Sequence, residues 1–259
     1  MNKKIKYLKS KFFSNNKISY GFFSRNGGFS SNPYNTLNCS LSNGDLKKNV
    51  KKNIRLATST LDINFKNLII GNQYHSNKVI IINKILSKKY KGDGFVTKNK
   101  NIALGILTAD CAPILFYDSK NNIIGAAHAG WRGCFKNICN SIILSMKKLG
   151  SDNYDIKAII GPCINYKNYD VDKNMYIKFI KKNRNYGKFF KKKSKTKYKF
   201  SLEAAIEYQL KKLKIKKIIK LNEDTYSNKS KYFSHRRSFK DNKIKTGRMI
   251  NIIGFTKNN

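Results

Sequence analysis

Residues 102–133, IALGILTADCAPILFYDSKNNIIGAAHAGWRG, decide how the chain is read. Three apolar runs, IALGILTAD, ILFYD and NIIGAAH, follow one another with only short polar breaks between them. They are nearly continuous rather than alternating with polar residues, the pattern of strands covered on both faces. The stretch therefore predicts neighbouring strands of a buried sheet, with Cys111 closing the first run and His128 closing the third.

Working outward, Ile18 to Ser24, LIIGNQ, KVIIIN, KAIIGPCI, IKKIIKL and MINIIGF also read as strands, and GDGFVT as a turn. Residues 25–45 are dense in Gly, Asn, Ser and Pro, which predicts a long loop, a kind of segment that often carries function. Asp45 is placed to cap a helix running to about Leu61, with Val50, Ile54, Ala57 and Leu61 on one buried face. After GWRG, the spacing of Phe135, Ile138, Cys139, Ile142, Ile143, Met146 and Leu149 predicts one helix stopped by Gly150. The lysine-heavy residues 178–199 predict a helix and a mobile loop, and Leu202 to Leu213 a further helix. The polar opening, residues 1–17, predicts a flexible segment.

At 259 residues, with 40% hydrophobic and 26% charged residues, the chain is large enough and apolar enough to build a core. The net charge of +40 invites a polyanion partner. Yet the lysines are spread along the chain with equally heavy Asn and Ile, and no segment resembles a nucleic-acid-binding motif. No specific nucleic-acid partner is expected. Five cysteines without framework spacing and no apolar leader point to a reduced, cytoplasmic protein, and no apolar run is long enough to span a bilayer.

Only three histidines occur in the sequence, and two of them, His75 in GNQYHS and His128 in GAAHAGWRG, join Cys111 at the ends of predicted strands. Singly, each has a plain structural explanation, since cysteine is commonly buried and a lone histidine is commonly a satisfied structural group. Together, two imidazoles and a thiolate form a zinc-binding set, and three protein ligands rather than four leave the open position of a catalytic site. The same atoms suit a rival reading, Cys111 as nucleophile with His75 or His128 as base. Asp93 and Asp110 lie close enough in sequence to orient a ligand histidine or accept a proton, or else to make turns. Arg25, Arg132, Arg236, Arg237 and Arg248 fall in or beside glycine-containing segments of a chain that otherwise uses lysine. They are candidates for binding an anion or for tying loops to carbonyls. Arg132 at the start of a predicted helix is the strongest anion candidate.

The ordered segments GFFSRNGGFS, NPYNTLN, NQYH, GDGFVT, LTADCAPILFYD, GAAHAGWRG, IGPCI with YDVD, and FSHRRS followed by TGRM resemble the YfiH-type laccase-domain family over nearly the whole chain. Its members are described both as polyphenol oxidases and as zinc-dependent purine nucleoside phosphorylases. The resemblance implies a mixed α/β (α+β) fold, a single domain of α/β/β/α layers over residues 18–259. It also implies His75, Cys111 and His128 as zinc ligands, with copper as an alternative metal. The implied activities are phosphorolysis of adenosine, inosine, guanosine and methylthioadenosine, and deamination of adenosine. Arg132 and Arg25 are then the expected phosphate-positioning groups. Three positions depart from the family pattern: Ser76 replaces a glycine, His235 the tyrosine of SYRR, and Asp224 the cysteine of a CTY segment.

Two further enzyme readings share these residues, an amidase acting on a nucleotide-linked peptidoglycan precursor and the polyphenol oxidase of the family label. Four-copper oxidation needs far more imidazoles than the three available. A non-enzyme reading, a basic nucleic-acid-associated protein with a structural metal, requires a fourth protein ligand.

Overall fold

The computed structural model describes residues 5–13, 17–86, 90–242 and 245–256. In chain order its strands are β1 (Tyr7–Leu8), β2 (Ile18–Phe23), β3 (Leu68–Ile70), β4 (Val79–Ile81), β5 (Gly94–Thr97), β6 (Ala103–Thr108), β7 (Ala112–Asp118), β8 (Ile123–Ala129), β9 (Ile156–Ile160), β10 (Asp170–Asp172), β11 (Phe190–Lys192), β12 (Lys197–Phe200), β13 (Lys217–Lys220) and β14 (Met249–Phe255). The helices are α1 (Lys47–Thr60), α2 (Trp131–Phe135), α3 (Ile138–Lys148), α4 (Lys173–Lys182), α5 (Leu202–Lys212) and α6 (His235–Lys240). One sheet has the order β1-β2-β14-β6-β3, a second β13-β9-β7-β8-β5-β4, and a small third β10-β12-β11.

Side-chain parity along the central strands builds four layers, because successive residues of a strand point to opposite faces. In β7, Ile114 and Phe116 join α3 and α5 in one core, while Leu115 and Tyr117 meet Phe22, Leu104 and Ile106 of the other sheet in a second. In β14, Ile250 and Ile252 turn instead to a third core with Val50, Ile54 and Ala57 of α1. Two sheets packed face to face with helices outside them give the α/β/β/α arrangement. Full burial of all seven residues of β7, β8 and β14 is the structural counterpart of their continuous apolar runs.

Several expectations are corrected. Within the supposedly flexible residues 1–17, residues 1–4 and 14–16 lie outside those described; Tyr7–Leu8 pairs with β2, and Ile5 and Phe13 are buried. Ile5, Phe13 and the Tyr7–Leu8 strand hold the described residues of this stretch against the fold. Asp45 does not cap α1: Leu46 is the N-cap, and the Asp45 carboxylate accepts from Leu46 N, Ser30 Oγ and Asn38 Nδ2, tying down the long loop. GDGFVT is not merely a turn, since Gly94–Thr97 is β5; a side chain at Gly94 would meet Val79 Cγ2 at 2.8 Å, so this glycine serves close packing. The helix after GWRG is two helices, broken at Asn137, whose φ of 63° is left-handed and whose side chain accepts from Asn140 N. Residues 178–199 hold the end of α4, a 3-10 segment Arg184–Phe189, and the β11–β12 hairpin. Phe179, Tyr186 and Phe189 are buried there, with Phe200 at the end of β12, beneath the lysines that dominate the sequence.

The carboxyl ends of β6, β8 and β9 and the starts of β7 and β14 coincide at one end of the two large sheets: Thr108 pairs Met249, Ala129 pairs Ala112, and Ile160 pairs Ile114. Where the sheets face each other at this end, a Cβ on Gly161 would lie 2.3 Å from the Phe22 ring and 2.9 Å from Pro113 Cγ. Gly161→Ala is therefore expected to destabilise the fold by about 1–3 kcal/mol through overpacking, read as a lower urea midpoint at unchanged m-value; an unchanged midpoint contradicts this packing.

Candidate metal centre

His128 shares the parity of Ile124 and Ala126, so it points between the sheets one residue before the end of β8. Cys111 lies in the β6–β7 turn with the parity of Leu115 and Tyr117. His75 comes from the loop after β3, held there by a left-handed backbone with φ of 62°. The three donor atoms lie within 4.8 Å of one another, and Cys111 Sγ is 3.9 Å from His75 Nε2. A tetrahedral zinc with bonds of about 2.0–2.3 Å separates its donors by about 3.5 Å, so modest contraction closes this set on one ion. Gly130 makes the approach possible, because a Cβ there would sit 2.7 Å from Cys111 Sγ and 3.2 Å from His75 Cδ2.

Asp93 organises the set from behind. Its Oδ1 is 2.9 Å from His128 Nδ1 and accepts from His75 N, while Oδ2 accepts from both N and Oγ of Ser76. With Nδ1 so occupied, His128 offers Nε2 to a metal, the carboxylate–histidine arrangement common behind metal ligands. Ser76, a departure from the family pattern, thus contributes a hydrogen bond to this carboxylate. Burial opposes the charge on Asp93, but His128 and Ser76 outweigh it and hold the carboxyl well below its ordinary range. Burial likewise opposes a thiolate at Cys111, yet His128 and His75 pull its pKa to about 6. Against the same burial, Cys111 and Asp93 raise His128 to about 9. The other four cysteines are buried, with pKa values raised by desolvation.

The triad opens on a cavity of about 510 Å³. Trp131, Ile164 and Tyr169 give it an apolar wall, and Ser40, Ser42, Gln73 and His235 supply polar groups. Arg132 lines it, its guanidinium 4.9 Å from the Trp131 ring. Arg25 does not line it: Nε and Nη1 donate to the carbonyls of Asn35 and Lys229, and the guanidinium stacks on Phe233, so this arginine joins loops. Arg237 is buried on the carbonyls of Thr225, Tyr226 and Tyr232. Arg236 and Arg248 do line the cavity. Asp110, left-handed with φ of 87°, accepts from Thr225 Oγ1 and Arg236 N and fixes the turn that carries Cys111. Sequence reading missed Tyr169 and the cavity role of His235, although both stand in quoted motif segments, because only the tertiary packing brings YDVD and FSHRRS to the cavity. Asp224, the third departure, accepts from Asn165 N, Asn168 Nδ2 and Ser227 Oγ outside the cavity.

Residues 19–256 match the family model described as multi-copper polyphenol oxidoreductase laccase. The chain belongs to this family. Among the relatives of this laccase-like family, a purine nucleoside phosphorylase of Rickettsia conorii is 35% identical over 226 residues, covering 87% of this chain and 91% of that one. The purine nucleoside phosphorylase YlmD of Bacillus subtilis is 30% identical, covering 93% and 90%. The crystal structure of the hypothetical protein YfiH of Bacillus licheniformis superposes with a TM-score of 0.83 at 29% identity, covering 92% of both chains. The mixed α/β layering is that of the YfiH-type laccase-like proteins.

Two outcomes follow for the centre. Asp93→Asn keeps the shape but weakens the hold on His128, and metal affinity is expected to fall about 10–100-fold, measured by competition with a chromogenic chelator; undiminished affinity removes Asp93 from this role. In metal-free protein Cys111 and His128 each favour the other's charged form, thiolate beside imidazolium, whereas ligation requires a neutral His128. Metal binding at pH 7.5 is thus expected to release about one proton, with affinity rising as pH increases toward 9; calorimetry in buffers of different ionisation enthalpy showing no proton release contradicts it.

Proposed function

We propose that the protein is a zinc-dependent purine nucleoside phosphorylase acting on adenosine, inosine, guanosine and methylthioadenosine, with adenosine deamination as a second activity of the same site. The observation that carries this reading is a His75–Cys111–His128 donor set within 4.8 Å that opens directly on a cavity with both an arginine-bearing lining and an apolar wall. The names of the relatives support the same chemistry. One sulfur and two nitrogen donors suit zinc, and copper is the alternative. Three histidines in the whole sequence argue against a four-copper oxidase.

When bound, the ion supplies Lewis-acid polarisation at its open position. The protein's own residues do the rest. Asp93 keeps the His128 ring in one orientation, and Gly130 leaves room for His75 and Cys111 to approach. Trp131, Ile164 and Tyr169 present the surface on which a purine would lie, excluding water from one of its faces. Arginine in the lining, Arg132 among it, would aim phosphate at the anomeric carbon; there a C1′–O bond forms as the C1′–N9 bond breaks and the purine leaves. Arg25 has no part in this, being spent on Asn35 and Lys229. No helix is long and apolar enough to cross a membrane among the described residues, and all five cysteines are free, which supports placement in the reduced cytoplasm.

The test is an incubation of the zinc-loaded protein with adenosine, with and without phosphate. Adenine and ribose 1-phosphate are expected only with phosphate, inosine and ammonia in either tube, and both activities are expected to fall at least about 100-fold in Cys111→Ala. Adenosine unchanged in both tubes overturns the reading.

A further inference from the structure

Three arginines line the cavity, Arg132, Arg236 and Arg248, and the last two are also held there by backbone carbonyls. Among the described residues no arginine is paired with a carboxylate; the ion pairs involve lysines or His128. Arg236 uses Nη1 on the Asp170 carbonyl, and its guanidinium lies 5.3 Å from the Tyr169 ring centroid. Arg248 uses Nη1 on the carbonyls of Thr246 and Gly247. For both, Nε and Nη2 have no acceptor among the described residues. Asp110, the single carboxylate in the cavity lining, and the Cys111 sulfur both attract Arg248, but neither forms an ion pair with it, and the Asp110 carboxylate accepts from Thr225 Oγ1 and Arg236 N. Arg236 and Arg248 come from separate segments of the chain, and His235 beside them also lines the cavity. Half-buried guanidiniums lacking a carboxylate are costly unless an anion completes them, and the planar fork of arginine matches phosphate oxygens.

We infer that Arg236 and Arg248, with His235 beside them, form the subsite for a phosphate dianion, inorganic phosphate being the occupant. The assignment rests on the phosphorylase reading for its purpose, but the binding site is defined by the two guanidiniums, which line the cavity and form no ion pair with a carboxylate. In this arrangement the carbonyl contacts hold one nitrogen of each arginine while the remaining donors grip the anion. His235 is also faced by Asp110 and His75. Its ring has no hydrogen-bond partner among the described residues, so it is free to donate to a phosphate oxygen.

Isothermal titration of the zinc-loaded protein with inorganic phosphate tests this directly. Arg236→Lys and Arg248→Lys keep the charge and lose the fork; each is expected to weaken phosphate binding by about tenfold or more, with melting temperature and zinc content retained. Arg55→Lys, outside the cavity, sets the baseline. A phosphate Kd within about twofold of the parent in both cavity variants overturns the subsite. A second measurement needs no variant: phosphate is expected to protect Arg236 and Arg248, and not Arg55, from phenylglyoxal modification mapped by mass spectrometry, and equal labelling with and without phosphate overturns the assignment. Adenosine 5′-monophosphate alone serves as the other source of phosphate; if its binding, rather than that of inorganic phosphate, is lost in the variants, the proposed occupant is wrong. Turnover separates this inference from the phosphorylase reading. Phosphate binding through these arginines without adenosine cleavage keeps the subsite and removes the reaction, whereas phosphorolysis with unaltered phosphate KM in the variants keeps the reaction and removes the subsite.

Discussion

The buried carboxylate of Asp93 is the constraint from which the site is built. It stands at the start of β5 and binds, at once, the ring of His128 on β8 and the backbone of the loop that carries His75. A carboxylate taken fully out of water is tolerable only when its acceptor positions are filled. Here three backbone N–H groups, a hydroxyl and an imidazole fill them at 2.6–3.3 Å. The same bonds that keep the charge stable also determine which nitrogen His128 presents and where His75 sits. Stability and chemistry are one network at this point.

The layering gives that network its place. Strand parity sends His128 and Cys111 into the space between the sheets, and the coincidence of strand ends leaves the space open there, so the triad sits at the floor of a cavity instead of inside the core. The glycines around it are spatial necessities. Gly130 admits the sulfur and imidazole, and Gly161 lets the Phe22 ring close the gap between sheets. Asp110 accepts a left-handed backbone to turn β6 into β7, and its carboxylate is repaid by Thr225 and Arg236.

The arginines divide by what they touch. Arg25 and Arg237 spend their guanidiniums on loop carbonyls away from the cavity, whereas Arg132, Arg236 and Arg248 line it. Beyond Arg132 at its predicted helix start, composition could not make this division, because all five stand in or beside glycine-containing segments. The lysines are a different matter. They cover the small β10-β12-β11 sheet and pair there with Asp170 and Asp172, while the aromatic residues beneath them make the actual contacts with the core. A surface so dominated by charge concealed the order of residues 178–199, whose hydrophobic anchors are few in sequence but close in space.

Much of the fold was legible because continuous apolar runs such as residues 112–118 and 123–129 have few solutions other than covered strands, and because a thiol and two imidazoles at strand ends are a restricted chemical set. The N-cap of α1, the break at Asn137 and the strand character of Gly94–Thr97 were not legible, since each depends on what a neighbouring segment brings. By itself the sequence determined which atoms could bind a metal and that a buried sheet would present them. Only the tertiary structure decided that Asp93 would orient His128, that Arg248 and not Arg25 would face the cavity, and that Tyr169 would form its wall. Those outcomes rest on side chains separated by tens to hundreds of residues meeting within a few ångströms, and local propensity carries no information about such meetings.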